Sequence, residues 1–203
     1  MKKTVSLILA LLMCLSLCAC GASTPVFQIG QTISTARAEV TLKDIQSTIA
    51  LNNSGAWTSS TGHATDTYFT PVDEYEPGNP YAARVGSSLV WFEVEIKNLD
   101  RDSVEFDPTF GSEIEFQVAF DGKTYATNSD NTDIGVESSD GQTWHKHDSS
   151  NILLLAGEHG YYRIYIEIPK EISDTDIYDL IVFLPNVEGK SDRFVYRVNA
   201  ETK

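Results

Sequence analysis

Two imidazoles stand two residues apart in Trp144-His145-Lys146-His147-Asp148. On an extended segment His145 and His147 project from the same side, where they could share a zinc or copper ion with Asp148, or with a distant His63 or His159. No cysteine is available to complete such a set, and no second pair has a fixed spacing, so the pattern reads as exposed loop histidines. Asn128-Ser129-Asp130-Asn131-Thr132-Asp133-Ile134-Gly135 offers the oxygen donors calcium prefers. It lacks the register of an EF-hand loop, which needs alternating acids or amides before a Gly and a Glu at the twelfth position, so it reads as a turn-rich loop. The carboxylate pairs Glu93/Glu95 and Glu113/Glu115 alternate outward on strand-like segments, as a solvated face requires. The sequence contains no nucleophile elbow, HExxH or glycine-rich phosphate loop. These residues imply no catalytic group, no metal and no cofactor; the expectation is a protein that is not an enzyme.

Aromatic residues in polar surroundings are the next candidates. Trp57, Tyr68, Phe69, Tyr75 and Tyr81 lie among Gly, Ser, Thr, Asn and Pro in a stretch, 52–87, that lacks strand periodicity and is longer than most structureless loops. Rigid rings in such a segment can bury area on a peptide or a sugar at little entropic cost. The competing reading is that they fold back over a sheet edge or the open end of the domain.

All three cysteines, Cys14, Cys18 and Cys20, fall within the first twenty residues. Lys2 and Lys3 followed by an apolar run from Val5 to Ala19 form the pattern of a signal peptide, too short for the ~20 residues a membrane-spanning helix needs. The end of the run, Leu17-Cys18-Ala19-Cys20-Gly21, resembles the lipobox of bacterial lipoproteins. That resemblance implies removal of residues 1–19 and lipidation of Cys20. Two acyl chains on one sulfur would hold the chain at a bilayer, whereas one would not. The alternative Leu15-Ser16-Leu17-Cys18 puts a bulky Leu where a small residue is required. Residues 20–26 then serve as lipidated Cys and flexible tether, leaving one domain over 27–199.

Charge narrows the partners. The chain has 15 basic and 29 acidic residues for a net −14, and loss of Lys2 and Lys3 with the leader makes it −16. Such a field repels nucleic acid, and no basic stripe offsets it. The expected partners are the membrane, through the anchor, and an envelope protein or glycan.

Period-two patterns define the elements that must hold these residues. Ala38, Val40 and Leu42 alternate with polar residues, as do Val90, Phe92, Val94 and Ile96 against Trp91, Glu93, Glu95 and Lys97. Ile114, Phe116, Val118 and Phe120 form a third set, and Tyr162, Ile164, Ile166 and Ile168 a fourth. Asp121-Gly122 predicts a tight hairpin joining 113–120 to 123–127. Later strands are expected at 179–184 and 193–199, with a helical turn within 169–176. The stretch 128–150 shows no strand period. Short strands with turn chemistry between them predict an all-β, immunoglobulin-like antiparallel β-sandwich, with barrel closure as the alternative.

The order of these features resembles a family of small bacterial surface lipoproteins of unknown function with an immunoglobulin-like β-sandwich, related in fold to secreted mycobacterial antigens. The resemblance is carried by Phe27-Gln28-Ile29-Gly30-Gln31-Thr32-Ile33, by the strand Leu89–Asn98, by Phe116–Tyr125, and by Leu155-Ala156-Gly157-Glu158 leading into Tyr161–Pro169. It implies a sandwich fold and a cell-surface setting but no agreed activity; the function expected of the chain itself is that of a membrane-tethered, non-enzymatic binding or interaction module. A solute- or glycan-capturing accessory to a transporter or wall enzyme is the alternative. The segment 52–87 departs from the family pattern as a long insertion.

Overall fold

The computed structural model describes residues 25–52, 69–74, 77–106, 113–126, 134–137, 144–146, 152–175 and 177–199; for 105–106, 134–137, 144–146 and 152 it describes the backbone alone. In chain order the strands are β1 (Val26–Phe27), β2 (Thr32–Ser34), β3 (Ala38–Thr48), β4 (Ala50–Leu51), β5 (Pro71–Val72), β6 (Ser87–Asn98), β7 (Val104–Phe106) and β8 (Glu115–Phe120). They continue as β9 (Lys123–Ala126), β10 (Ile134–Glu137), β11 (Trp144–Lys146), β12 (Ile152–Leu154), β13 (His159–Pro169), β14 (Tyr178–Pro185) and β15 (Ser191–Val198). One helical turn, α1 (Lys170–Ser173), links β13 to β14.

These strands form two larger sheets. One has the order β1-β15-β14-β8-β9 and the other β11-β10-β13-β6-β3-β2, with the short pairs β12-β7 and β4-β5 beside them. Both large sheets are open, so the architecture is a sandwich and not a closed barrel. The pairings are antiparallel except that β1 runs parallel to β15, with Val26 opposite Val195.

The inward-facing sets meet as the alternation requires. Val40, Leu42, Phe92, Val94, Ile164 and Ile166 of the six-stranded sheet and Phe116, Val118, Leu180 and Val182 of the five-stranded sheet are fully buried in one core. Full burial of each such side chain is worth roughly 1.5–3 kcal/mol. The Phe92 and Phe116 rings touch across the interface with centroids 5.1 Å apart. A polar stitch joins the same layers, because the buried Tyr196 hydroxyl on β15 donates to Gln31 O at 2.7 Å and lies 3.2 Å from Val40 O on β3.

The Asp121-Gly122 hairpin forms as predicted between β8 and β9, with φ of 46° and 74° at its two central residues, the positive pair a type I′ turn demands. Strand β3 runs beyond its visible alternation. The β3–β6 register shifts between Leu42 and Asp44, so one extra residue resets the phase and the buried series passes from Leu42 to Ile45. Within 128–150, where no strand was expected, β10 and β11 extend the six-stranded sheet beyond β13.

The ends of the sandwich differ. At one end, Thr35 Oγ1 donates to Pro185 O at 2.6 Å, and Leu99 N to Arg37 O at 2.9 Å. Arg37 also pairs there with Asp100, and with Glu113 at 2.6 Å. Asn98, fully buried, donates from its amide to Asp102 O at 2.8 Å and Leu154 O at 2.9 Å and accepts from Asp100 N at 2.8 Å. The turns at 35–37, 99–103, 155–158 and 186–190 are thus gathered at this end. The hairpin at 121–122, α1 and the start of β6 lie at the other.

Candidate functional site

The outer face of the six-stranded sheet carries the side chains with the richest chemistry, and it is divided in two. Toward the start of β6 the outward positions are apolar: Leu89 and Trp91 on β6, and Tyr165 opposite Trp91 on β13. An open sheet face of this kind must be covered. The cover comes from β4 and the insertion that follows it, since Leu51, Phe69 and Tyr81 pack on Leu89, Trp91 and Tyr165 as a second buried cluster.

Phe69 and Tyr81 are therefore not displayed; they are 0% and 7% exposed. This corrects their assignment to a recognition surface, and the physical cause is the apolar sheet face beneath them. The Phe69 ring meets Tyr81 edge-on at 5.1 Å and Tyr165 at 5.7 Å. Its backbone takes the left-handed conformation, φ 58°, which is uncommon for a bulky residue. Three contacts hold it there: Trp91 Nε1 donates to Phe69 O at 2.8 Å, Phe69 N donates to Asn52 O at 2.8 Å, and Asn52 N donates to Thr70 O at 2.7 Å. Asn79 closes the cap, its amide donating to Leu51 O and its carbonyl accepting from Tyr81 N, both at 2.9 Å.

Beyond the cap the same face is polar. Lys43, next to the bulge in β3, lies 2.6 Å from Glu95 Oε2 and 5.8 Å over the Tyr161 ring. Arg163, only 8% exposed, lies 3.0 Å from Glu93. The hydrogen bond from Lys43 holds the Glu95 carboxyl below the usual carboxylate range, and Glu95 in turn raises the Lys43 ammonium. His159, exposed at the start of β13, sits edge-on to Tyr161 at 6.1 Å. Acids and bases neutralise one another across three strands. The four carboxylates of the outward pairs all have partners: Glu93 and Glu95 as above, Glu113 with Arg37, and Glu115 with Gln117 at 2.7 Å.

Sequence reasoning missed this Lys43–Glu95–Tyr161 grouping. Each residue occupies an outward position on its own strand, but the bulge and the pairing register that unite them are not local properties. Of the other expected residues, Cys20, Trp57, His63, Tyr68, Tyr75, His147 and Asp148 lie outside the described residues. His145 falls on β11 opposite Val136, described by its backbone alone. Ile134 and Gly135 of the oxygen-rich loop begin β10, and the rest of that loop lies outside the described residues. Among the described residues no three His, Cys, Asp or Glu side chains are grouped as a metal ion would need.

No family model matches this chain, and no curated protein does. Among solved structures it is similar to an uncharacterized β-sandwich protein from Clostridium difficile 630, at 16% identity over 88% of this chain and 97% of that one, with a TM-score of 0.49. It is also similar to a candidate lipoprotein from Bacillus subtilis, at 11% identity over 83% of this chain and 38% of that one, TM-score 0.43. A conserved hypothetical protein from Bacillus anthracis shares 13% identity over 86% of this chain and 99% of that one, TM-score 0.44.

Proposed function

We propose that this chain is a lipid-anchored, extracytoplasmic interaction module that is not an enzyme, and that residues 53–68, with Trp57 and Tyr68, take part in binding an envelope protein. The observation that carries the reading is the placement of Leu17-Cys18-Ala19-Cys20, with Cys20 six residues ahead of Val26, the first residue of β1 in a cysteine-free β-sandwich. A diacylated Cys20 leaves only a short leash between bilayer and domain, so a partner on the same membrane meets it at high effective concentration. Residues 53–68 contribute Trp57 and Tyr68, and the residues on either side of them pair, Phe69 N donating to Asn52 O at 2.8 Å.

Two measurements test this. Full-length protein made in a lipoprotein-processing bacterium is expected in the membrane fraction, with an N-terminal Cys20 heavier by a diacylglyceryl group, and Cys20→Ala is expected to abolish the modification. An unmodified N-terminus on soluble wild-type protein would overturn the anchor. Replacing 53–68 by a short Gly/Ser link is expected to leave the melting transition in place, because Asn52 and Phe69 already pair, and to remove envelope proteins captured by cross-linking. Unchanged capture would overturn the proposed contact segment.

A further inference from the structure

The cap is a layer of its own. Strand β4 pairs with β5, Ala50 bridges to Ala82, Leu51 N donates to Tyr81 O at 3.0 Å, and Ala83 N donates to Ile49 O at 2.8 Å. Among the described residues none of its backbone hydrogen bonds reaches β6 or β13, which pair with each other and with β3 and β10. What holds the cap on that sheet face is the packing of Leu51, Phe69 and Tyr81 and the bond from Trp91 Nε1 to Phe69 O. Its buried cluster shares no residue with the main core. The chain enters the cap from Thr48, the last residue of β3, whose hydroxyl lies 3.0 Å from both Ala50 O and Val72 O.

Closure of the cap works against its own backbone. Asn52 faces two residues at once, accepting from Phe69 N and donating to Thr70 O, the pattern of a β-bulge whose first residue is left-handed and ordinarily glycine. Phe69 holds that position at φ 58°. A backbone in so sparsely populated a region persists only while its surroundings hold it, and such strain gathers at clamps and switches. Here the surroundings are the Tyr81 and Tyr165 rings and the Trp91 bond. We propose that the cap is an autoinhibitory lid: residues 50–52, 69–72 and 79–83 leave the sheet as one cooperative unit, hinged at Thr48, while the sandwich stays closed. Opening uncovers Leu89, Trp91 and Tyr165, and the place given up by the Phe69 ring takes an aromatic side chain of a protein partner. Phe69 is the internal competitor for that place, so a partner's affinity is reduced by the fraction of domains that are open. The lid needs neither the lipid anchor nor residues 53–68, so its failure leaves both of those readings standing.

Hydrogen exchange in the full chain tests the lid. The Trp91 indole N–H and the Leu51, Asn52 and Phe69 amides are expected to share one opening, at least about a hundredfold more frequent than that of the Val94 and Ile164 amides and nearly insensitive to low urea, because little surface is exposed. One common rate with one urea dependence at all of these positions would overturn the lid. Phe69→Gly tests the competition, since glycine is at ease in the bulge and carries no ring. Titrated with N-acetylphenylalaninamide and followed by tryptophan fluorescence, Phe69→Gly is expected to bind several-fold more tightly than the wild-type protein, with N-acetylalaninamide giving no response in either. Equal affinity for the two proteins, or no binding to Phe69→Gly, would overturn the place of the Phe69 ring as a site for a partner's side chain.

Discussion

Asn98 shows how one side chain can organise an end of the domain. The last residue of β6 is polar yet has no exposure, and its amide makes two hydrogen bonds with the following loop and one with Leu154 at the end of β12. An apolar replacement of the same length would leave Leu154 O and Asp102 O without that donor in a dry place. Losing a partner for a buried polar group costs about 1–3 kcal/mol. Asn98→Ala is therefore expected to lower stability by about 2–4 kcal/mol, read as a fall in urea midpoint at constant slope. A loss below about 0.5 kcal/mol would mean that the loop is held by other contacts, chiefly Arg37 with Asp100. The sequence pointed to Asn98 only as the polar end of an apolar strand; its partners lie as far as 56 residues away in the chain.

At the scale of elements, the cap formed by β4, β5 and residues 77–83 depends on Trp91. The indole fills the space beneath Phe69 and supplies the hydrogen bond to its carbonyl. Trp91→Phe keeps an aromatic ring but deletes the donor and some volume. The expected cost is about 1–3 kcal/mol. It should be felt locally, with hydrogen-exchange protection falling at Leu51, Phe69 and Tyr81 while β14 and β15 keep theirs. Uniform loss across both sheets would show that the cap is integral to the main core.

The same element shows where sequence reading succeeds and where it stops. Strands β6, β8, β13, β14 and β15 were legible because a strand with one buried face writes its alternation into adjacent residues. Trp91 was read with the solvent face because local pattern cannot reveal a cover that arrives from residues 51, 69 and 81. Phe69 and Tyr81 looked like displayed rings for the matching reason: their polar neighbours describe the loop, and the sheet face that buries them lies elsewhere in the chain. The bulge between Leu42 and Asp44 hid the second half of β3 by shifting its phase. Strands β10 and β11 are too short to establish any period.

For the whole molecule, the union of the two sheets is tied to protonation. Tyr196 is buried between them, and burial pushes its phenol from the ordinary value of 10 up to about 12; burial raises Tyr162 as well. The folded state thus favours the neutral phenol. The stabilisation is complete below pH 10 and is lost as pH rises toward 12. Stability is expected to fall steeply across that window, and phenolate absorbance from these two residues should appear together with unfolding. Tyr196→Phe, which cannot ionise, should lose stability less steeply there; an unchanged slope would assign the alkaline loss to other groups.

The two-residue β1 also determines how the domain meets mechanical load. A membrane pulling on the N-terminus while a captured partner pulls the far end would drag β1 lengthwise along β15, a shearing load shared by very few hydrogen bonds. Once these give way, the next anchored residue is Gly30, whose N donates to Leu42 O at 2.8 Å. With Cys20 as the proposed anchor, the stretch would then grow from six residues to ten, lengthening its reach to roughly 34 Å, so the sandwich would let out slack under tension while its core stays folded.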